Sequence, residues 1–257
     1  MSLETCAESL RTQDPHRFGC MMAAAPADRS KLVTLYALNL ELARAPLQSA
    51  DPLLAEMRLQ WWIDRLRAMG QGDQPPSHDL LSPLHDAWGD KAEAMVPLAE
   101  GRKRDCDRQP FDDPAQVEDY VNATAGSLMH LAASALGADA DAYAAVSRQA
   151  LGMGLASWLG ALPQLQAWNM GLVPQIAPAA ARELARSALL SLDAAADARR
   201  LVPRRAAPAL AAPAATRAFL TSVADGLQDP LEPAPTISPF RRRAALARLA
   251  LTGRWWV

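Results

Sequence analysis

Apolar residues recur at helical spacing through most of this chain, and this periodicity constrains its fold more than any other feature. In one early segment, Leu32, Leu35, Leu38 and Leu42 lie three or four positions apart. That spacing brings their side chains to one face of an α-helix. We find no convincing run of alternating apolar and polar residues of the kind that forms a strand. The sequence therefore predicts an all-α fold, a single-domain helical bundle spanning residues 1–257.

Prolines, glycines and capping residues divide the chain into successive predicted helices. Pro52 and the pair Asp113-Pro114 each suit the first turn of a helix, whereas Gly70 and Gly137 suit the end of one. We expect helices over residues 28–45, 52–70, 113–137, 139–163, 178–200 and 214–227, a shorter broken pair between 79 and 100, and a basic helix from 239.

Composition excludes several classes of protein. The chain has 26 basic and 28 acidic residues, a net charge of −2, and this balance argues against a nucleic-acid-binding protein. Half of the residues are apolar, which is enough to bury a sizeable core and argues against disorder. The three cysteines, Cys6, Cys20 and Cys106, are too few and too far apart for a disulfide framework or a thiolate zinc site. We therefore expect a reducing compartment.

Neither end of the chain nor its interior predicts a membrane-spanning segment. The first twenty residues carry Glu4, Glu8, Arg11 and Asp14 and lack an apolar core, so we expect no signal peptide. Residues 149–181 contain no charge, but prolines and amides interrupt this stretch. Its uninterrupted apolar part is shorter than the roughly 20 residues that a spanning helix needs. A buried helix is the better interpretation.

Three segments carry a recognisable pattern. Residues 31–44 read KLVTLYALNLELAR, residues 59–64 read LQWWID, and residues 120–128 read YVNATAGSL. Together these segments resemble the squalene and phytoene synthase family, with the similarity strongest over residues 16–175. The resemblance implies an all-α bundle of the isoprenoid synthase type.

The family's chemistry depends on residues that this sequence lacks. Head-to-head condensation begins by ionising an allylic diphosphate, and carboxylates hold the magnesium ions that neutralise the leaving group. In the family these carboxylates form two aspartate-rich motifs on facing helices. By this resemblance, the degenerate positions of the former metal site are Ala43, Arg44, Leu47, Ala161 and Leu165.

This loss does not depend on an alignment correct to the residue. Residues 142–182 contain no Asp or Glu at all, so a shift of one turn restores no carboxylate. The sequence therefore predicts a non-catalytic protein with no catalytic residue, no metal and no cofactor. For an active synthase with an unusual site, the candidate carboxylates are Glu41, Asp51 and Asp64, which lie near the first motif.

The C-terminal segment, residues 239–257, has a different character. It contains no acidic residue, and leucines alternate with its arginines. A basic helix that ends in tryptophans suits an anionic membrane surface or an acidic groove. The alternative is that its leucines pack on the bundle while its arginines are merely solvated. The candidate membrane or partner contacts are Arg241, Arg242, Arg243, Arg248, Arg254, Trp255 and Trp256.

Within the family, one branch lacks the aspartates and serves respiratory complex I, the NADH:ubiquinone oxidoreductase. The chain resembles this branch, which implies an accessory subunit or assembly factor with complex I subunits as partners. By the same resemblance we expect a peripheral location on the cytoplasmic side of the bacterial inner membrane. Two alternatives stay open: an isoprenoid- or quinone-binding protein that uses the former substrate cavity and carries a bound lipid, and a divergent prenyl-diphosphate synthase.

Overall fold

The computed structural model describes residues 3–235 and 237–257, and it confirms the predicted all-α fold. Short turns and 3₁₀ segments join the helices. The helices are α1 (Leu3–Gln13), α2 (Pro15–Ala23), α3 (Arg29–Arg44), α4 (Pro52–Gly70), α5 (Leu81–Trp88), α6 (Val96–Glu100), α7 (Arg104–Asp107), α8 (Pro114–Val121), α9 (Ser127–Ala135), α10 (Tyr143–Ala167), α11 (Ala177–Asp197), α12 (Ala207–Leu210), α13 (Thr216–Ala224) and α14 (Pro239–Thr252).

Four of these helices begin at an Asp-Pro or Ser-Pro pair. In each pair the side-chain oxygen of the first residue accepts a hydrogen bond from a backbone N–H of the first turn. The proline occupies a position whose N–H would have no partner within the helix. The predicted helix starts at Pro52 and Pro114 are therefore confirmed. The four pairs are Asp14-Pro15, Asp51-Pro52, Asp113-Pro114 and Ser238-Pro239.

Other predicted boundaries are corrected by the structure. Pro163 does not end α10, which continues to Ala167. The single helix predicted over 113–137 is divided by a π-helical turn at Asn122–Gly126. Asp28 precedes α3 without capping it by a side-chain hydrogen bond. Its carboxylate instead accepts two hydrogen bonds from the guanidinium of Arg205, at 2.8 and 2.5 Å.

Two clusters of buried side chains form the interior. The larger cluster gathers the leucines of α3 and α4 with apolar residues of α1, α5 and α9. The smaller cluster joins α8 and the second half of α10 to α11 and α13. Helices α10 and α11 contribute buried residues to both clusters, and Met153 of α10 packs against both.

Helix α10 packs closely along α11. A Cβ atom added at Gly152 would lie 2.6 Å from the side chain of Leu192 and 2.9 Å from the carbonyl oxygen of Ala188. A Cβ at Gly154 would lie 2.4 Å from Val121. The two glycines therefore allow α10 to approach α11 and α8 closely.

No strand is present in the described ranges, and a single parallel bridge joins Phe111 to Leu172. The side chains of Cys6, Cys20 and Cys106 are buried free thiols. None of the helices within 3–235 and 237–257 combines the length and apolar character needed to cross a lipid bilayer.

Candidate functional site

A cavity of about 380 Å³ lies between α2, α3, α8, α10 and α12. Helix α3 contributes Tyr36 and Asn39 to its lining, and α10 contributes Trp158. The π-helical turn before α9 also reaches the cavity through Thr124 and Ala125. The cavity walls are therefore largely apolar, with polar side chains concentrated at two places.

The first polar place is a buried network of three side chains. Nη1 of Arg102 donates to the hydroxyl oxygen of Tyr120 at 2.7 Å, and that hydroxyl donates to Oδ2 of Asp105 at 2.9 Å. Arg102 and Asp105 also form an ion pair at 3.4 Å. Burial raises the pKa of Asp105, while Arg102 and Tyr120 oppose that shift. Burial also raises the pKa of Tyr120, so its hydroxyl stays protonated.

The second polar place lies at the start of α2. Asp14 accepts a hydrogen bond from the backbone N–H of Arg17 and pairs with its guanidinium at 2.6 Å. The ring Nε2 of His16 lies 2.8 Å from the carbonyl oxygen of Ala211. Burial lowers the pKa of His16 and raises the pKa of Cys20 to about 12. Both groups are therefore neutral near pH 7, and Cys20 does not present a thiolate nucleophile.

The positions predicted for the former metal site fall in two different environments. Ala161 and Leu165 line the cavity from α10. Ala43 and Arg44 lie in the last turn of α3, and Leu47 lies in the 3₁₀ turn that follows. These three residues are outside the set that lines the cavity. Their equivalence to the family's aspartates stays a prediction.

The carboxylates that an unusual active site would need are engaged elsewhere. Glu41 pairs with Arg44 at 3.4 Å, and Asp51 caps α4. Asp64 accepts a hydrogen bond from the amide of Gln60 at 2.8 Å. The described part of the chain brings together no group of three or more His, Cys, Asp or Glu side chains suited to a metal ion.

The basic C-terminal residues divide into exposed and packed ones. The arginines of α14 and Arg254 are exposed, which leaves them accessible to a partner. Trp255 is only 3% exposed, so it is a packing residue rather than a surface contact. Trp256 is half-buried, and the guanidinium groups of Arg199 and Arg254 each lie 5.6 Å from its ring.

Neither of the two polar places was predicted from the sequence as a cluster. Arg102 and Asp105 are three residues apart, a spacing that places two side chains on one helical face. Their third partner, Tyr120, lies on a separate helix, and no local pattern connects it to them. His16 and Cys20 have the spacing of neighbours on one helix, which was the available signal for that pair.

The sequence is similar to those of two curated mammalian proteins. Assembly factor 6 of NADH dehydrogenase (ubiquinone) complex I from Homo sapiens is 25% identical over 168 residues, which cover 62% of this chain and 48% of the relative. The Bos taurus protein of the same name is 25% identical over 167 residues with the same coverage. The chain thus spans about half the length of the curated relatives it matches.

Two solved structures share the fold of almost the whole chain. A dehydrosqualene synthase in complex with ligand has a TM-score of 0.66 at 14% identity, covering 96% of this chain and 94% of that chain. Squalene synthase HpnC from Alicyclobacillus acidocaldarius has a TM-score of 0.63 at 16% identity, covering 98% and 94%. At these identities the likeness shows the fold, which is that of the isoprenoid synthases.

The family itself is shown by a match along the sequence. The sequence profile of squalene/phytoene synthase matches residues 10–166, which is more than half of the chain. The matched segment includes α2, α3, α8 and most of α10, which supply most of the cavity lining. The shared fold is consistent with this sequence match, and the chain belongs to the squalene/phytoene synthase family.

Proposed function

We propose that this protein is a non-catalytic member of its family that acts as an assembly factor or accessory subunit of respiratory complex I. The observation that carries the proposal is the cavity face of α10, where Ala161 and Leu165 stand in a stretch, residues 142–182, that has no Asp or Glu. The similarity to complex I assembly factor 6 of two mammals supports the proposed role in complex I assembly.

Physical chemistry supports the non-catalytic part of the proposal. Magnesium is held by carboxylate oxygens, and ionisation of an allylic diphosphate depends on such an ion or an equivalent charge. Among the residues that line the cavity, the one carboxylate in the described ranges is that of Asp14. This carboxylate is already paired with Arg17 and caps α2. Asp105, beside the cavity, is likewise engaged by Arg102 and Tyr120.

The proposed location is peripheral, on the cytoplasmic side of the bacterial inner membrane. The exposed arginines of α14 support this location because positively charged surfaces are attracted to anionic lipid headgroups. A factor that assists the building of a membrane complex would gain from being concentrated at the surface where the complex forms.

The direct test is a tagged pull-down of the full chain from gently solubilised membranes, with mass spectrometry of the bound proteins. Recovery of partial complex I modules supports an assembly factor, and stoichiometric recovery of the mature complex supports an accessory subunit. A deletion strain should also lose NADH:ubiquinone oxidoreductase activity. Recovery of the protein alone, with unchanged oxidoreductase activity in the deletion strain, would overturn the proposal.

A separate assay tests the non-catalytic part. Purified protein is incubated with magnesium and with farnesyl or geranylgeranyl diphosphate, and products are followed by mass spectrometry. We expect no turnover above a protein-free control. Magnesium-dependent condensation would show that the chain is a divergent synthase.

The cavity supports a second candidate function, the binding of an isoprenoid or quinone. Its volume of about 380 Å³ and its apolar lining, including Met129 and Trp158, would suit an apolar chain. Lipid extraction of the native protein should then yield one lipid at near-equal stoichiometry. The variant Ala161→Trp, which places a bulky ring at the cavity wall, should lose that lipid, and recovery of no lipid from the native protein would exclude this candidate.

A further inference from the structure

Helix α14 carries a second apolar face that points away from the bundle. Its inner face packs on α2, where Leu246 lies against Gly19 and Leu249 is only 4% exposed. The outer face contains Phe240 and Leu251, which are 80% and 76% exposed. The spacing of these residues, eleven positions, returns a helix to nearly the same direction at 3.6 residues per turn.

Two alanines complete the outer stripe. Ala244 and Ala247 are exposed, and they lie four and seven positions after Phe240 on the same face. The stripe is therefore narrow, with a large apolar side chain near each end and small side chains between them. At a rise of about 1.5 Å per residue, the two large side chains are roughly 16 Å apart along the helix axis.

Arginines border this stripe on both sides. At 100° per residue, Arg241 and Arg248 project to one side of it and Arg243 to the other, each within roughly 90° of its centre. All three are exposed, and within the ranges that the structure describes none of them forms an ion pair. Their positive charge is therefore not cancelled by a neighbouring carboxylate.

The basic surface continues past the C-terminal end of α14. Nη2 of Arg204 donates to the carbonyl oxygen of Leu251 at 2.7 Å, which fixes this arginine at the end of the helix. Arg199 and Arg254 flank the ring of Trp256 in the neighbouring tail. Residues 198–257 contain ten arginines and three acidic residues, in a chain whose net charge is −2. The positive charge is thus concentrated in this part of the sequence.

We propose that the outer face of α14 docks on an anionic lipid surface. Phe240 and Leu251 enter the boundary between headgroups and acyl chains, and the bordering arginines bind lipid phosphates. An interfacial helix with an apolar stripe and arginines beside it has this character. Arginine suits phosphate because its planar guanidinium donates two parallel hydrogen bonds.

The shape of the stripe favours lipid over a protein groove. Protein interfaces concentrate their binding energy in large anchors near the centre of the contact, surrounded by a polar rim. Here the large side chains stand near the ends and alanines occupy the centre, which suits a fluid interface that adapts to the helix. This inference rests on the proposed peripheral location and names the surface that would produce it.

The test is co-sedimentation of the full chain with vesicles of phosphatidylcholine alone or of phosphatidylcholine with about one third phosphatidylglycerol. We expect binding to the anionic vesicles that weakens as salt is added. Each surface arginine contributes about fivefold in affinity. The triple variant Arg241→Gln/Arg243→Gln/Arg248→Gln should therefore bind on the order of 100-fold more weakly.

A matched control separates local from overall charge. The triple variant Arg11→Gln/Arg44→Gln/Arg67→Gln makes the same change in net charge, at arginines already paired with Glu8, Glu41 and Glu100. It should leave vesicle affinity within about twofold. A second pair of variants compares Phe240→Ser/Leu251→Ser, expected to lose about tenfold in affinity, with Leu190→Ser/Leu227→Ser, which alters equally exposed leucines elsewhere and should lose little.

Three outcomes would overturn the proposal. Equal binding to neutral and anionic vesicles, or equal losses in the α14 and control variants, would exclude this face as a lipid-binding surface. Absence of vesicle binding, together with loss of protein partners from pull-downs of the α14 triple variant, would assign the face to an acidic protein. Because the vesicle assay needs no complex I, it can succeed where the pull-down described above fails, and the two proposals are tested separately.

Discussion

Helices α10 and α14 show opposite uses of charge in one molecule. Within its 25 residues α10 carries a single charged side chain, Arg148, and it lies between the two core clusters. Within its 14 residues α14 carries four arginines and no carboxylate, and it lies on the outside of α2. Helix α10 thus brings almost no charge into the interior, whereas α14 places four positive charges on the surface. The contrast supports a function performed by the outside of the bundle.

Helices α10 and α14 also differ in how much of each is buried against its neighbours. Gly152 and Gly154 bring α10 into close contact with its neighbours, and ten residues of α10 are buried. In α14 the buried residue is Leu249. A substitution inside the bundle should therefore change the free energy of unfolding, whereas one on the outer face of α14 should change binding alone.

The largest effect is expected for Asp105→Asn at the edge of the cavity. The change removes the charge that balances Arg102, whose guanidinium is largely buried, while the shape of the side chain is kept. Removing one partner of a buried ion pair costs about 3 kcal/mol of unfolding free energy. Urea denaturation followed by circular dichroism would measure this loss. The control Asp64→Asn, on the surface of α4, should cost less than about 0.5 kcal/mol.

A double-mutant cycle shows whether the loss comes from the pair. Adding Arg102→Gln to Asp105→Asn removes the uncompensated charge, so the double variant should be less destabilised than the sum of the two single variants. Additive losses would mean that the two side chains contribute independently. The buried network would then not act as a unit.

The next effect compares one substitution at two places in α10. Gly152→Ala forces a methyl group toward Leu192 and the carbonyl of Ala188, and we expect a net loss of about 1–2 kcal/mol. Gly160→Ala meets no atom within 4 Å, so the lower backbone entropy of the unfolded chain should stabilise the protein by about 0.5 kcal/mol. Thermal or urea unfolding would measure both. Equal changes of the same sign would contradict the close packing of α10 on α11.

A pH-dependent effect is expected where the segment beside α14 meets the start of α3. Hydrogen bonds from Arg205 lower the pKa of Asp28 below its ordinary value. A lowered carboxyl pKa gives stability above the ordinary pKa that is lost as pH falls through the lowered one. Asp28→Asn should therefore lower the free energy of unfolding at pH 7. We expect a loss of only about 1 kcal/mol, because solvent screens the largely exposed Arg205.

Unfolding of both proteins as a function of pH would check this expectation. The difference between wild type and Asp28→Asn should shrink below about pH 4, where carboxyl groups become protonated. A difference that stays constant down to pH 2 would show that Asp28 contributes by packing rather than by its charge.

Local chemistry could be predicted from the sequence, and long-range contacts could not. Pro52 and Pro114 fix helix starts through their own ring and the residue before them, so both were predicted correctly. The pairing of Asp28 with Arg205 joins residues 177 positions apart, and nothing near Asp28 indicates it. Pro163 stands within α10, where helical packing on both sides outweighs its missing N–H.

For the candidate site too, some features could be predicted from the sequence and others could not. The lack of carboxylates over 142–182 is a property of the sequence, and the structure adds that Ala161 and Leu165 line the cavity. That these two positions replace aspartates of the family stays a prediction. Helix α14 shows what the sequence leaves undecided. Helical spacing places Leu249 and Leu251 on opposite faces of α14. Only the packing of α14 on α2 decides that Leu249 faces inward and Leu251 outward.

The smallest effect on stability is expected on that outer face. Phe240→Ser/Leu251→Ser alters two side chains that are exposed in the folded protein, so the free energy of unfolding should change by less than about 0.5 kcal/mol. Leu249→Ala, on the opposite face of the same helix, should cost about 2 kcal/mol because it leaves a cavity against the bundle. Urea unfolding of the two variants side by side would measure the contrast. A loss for the outer pair as large as that for Leu249 would mean that Phe240 and Leu251 support the fold, and the division between a stabilising interior and a binding exterior would not hold for α14.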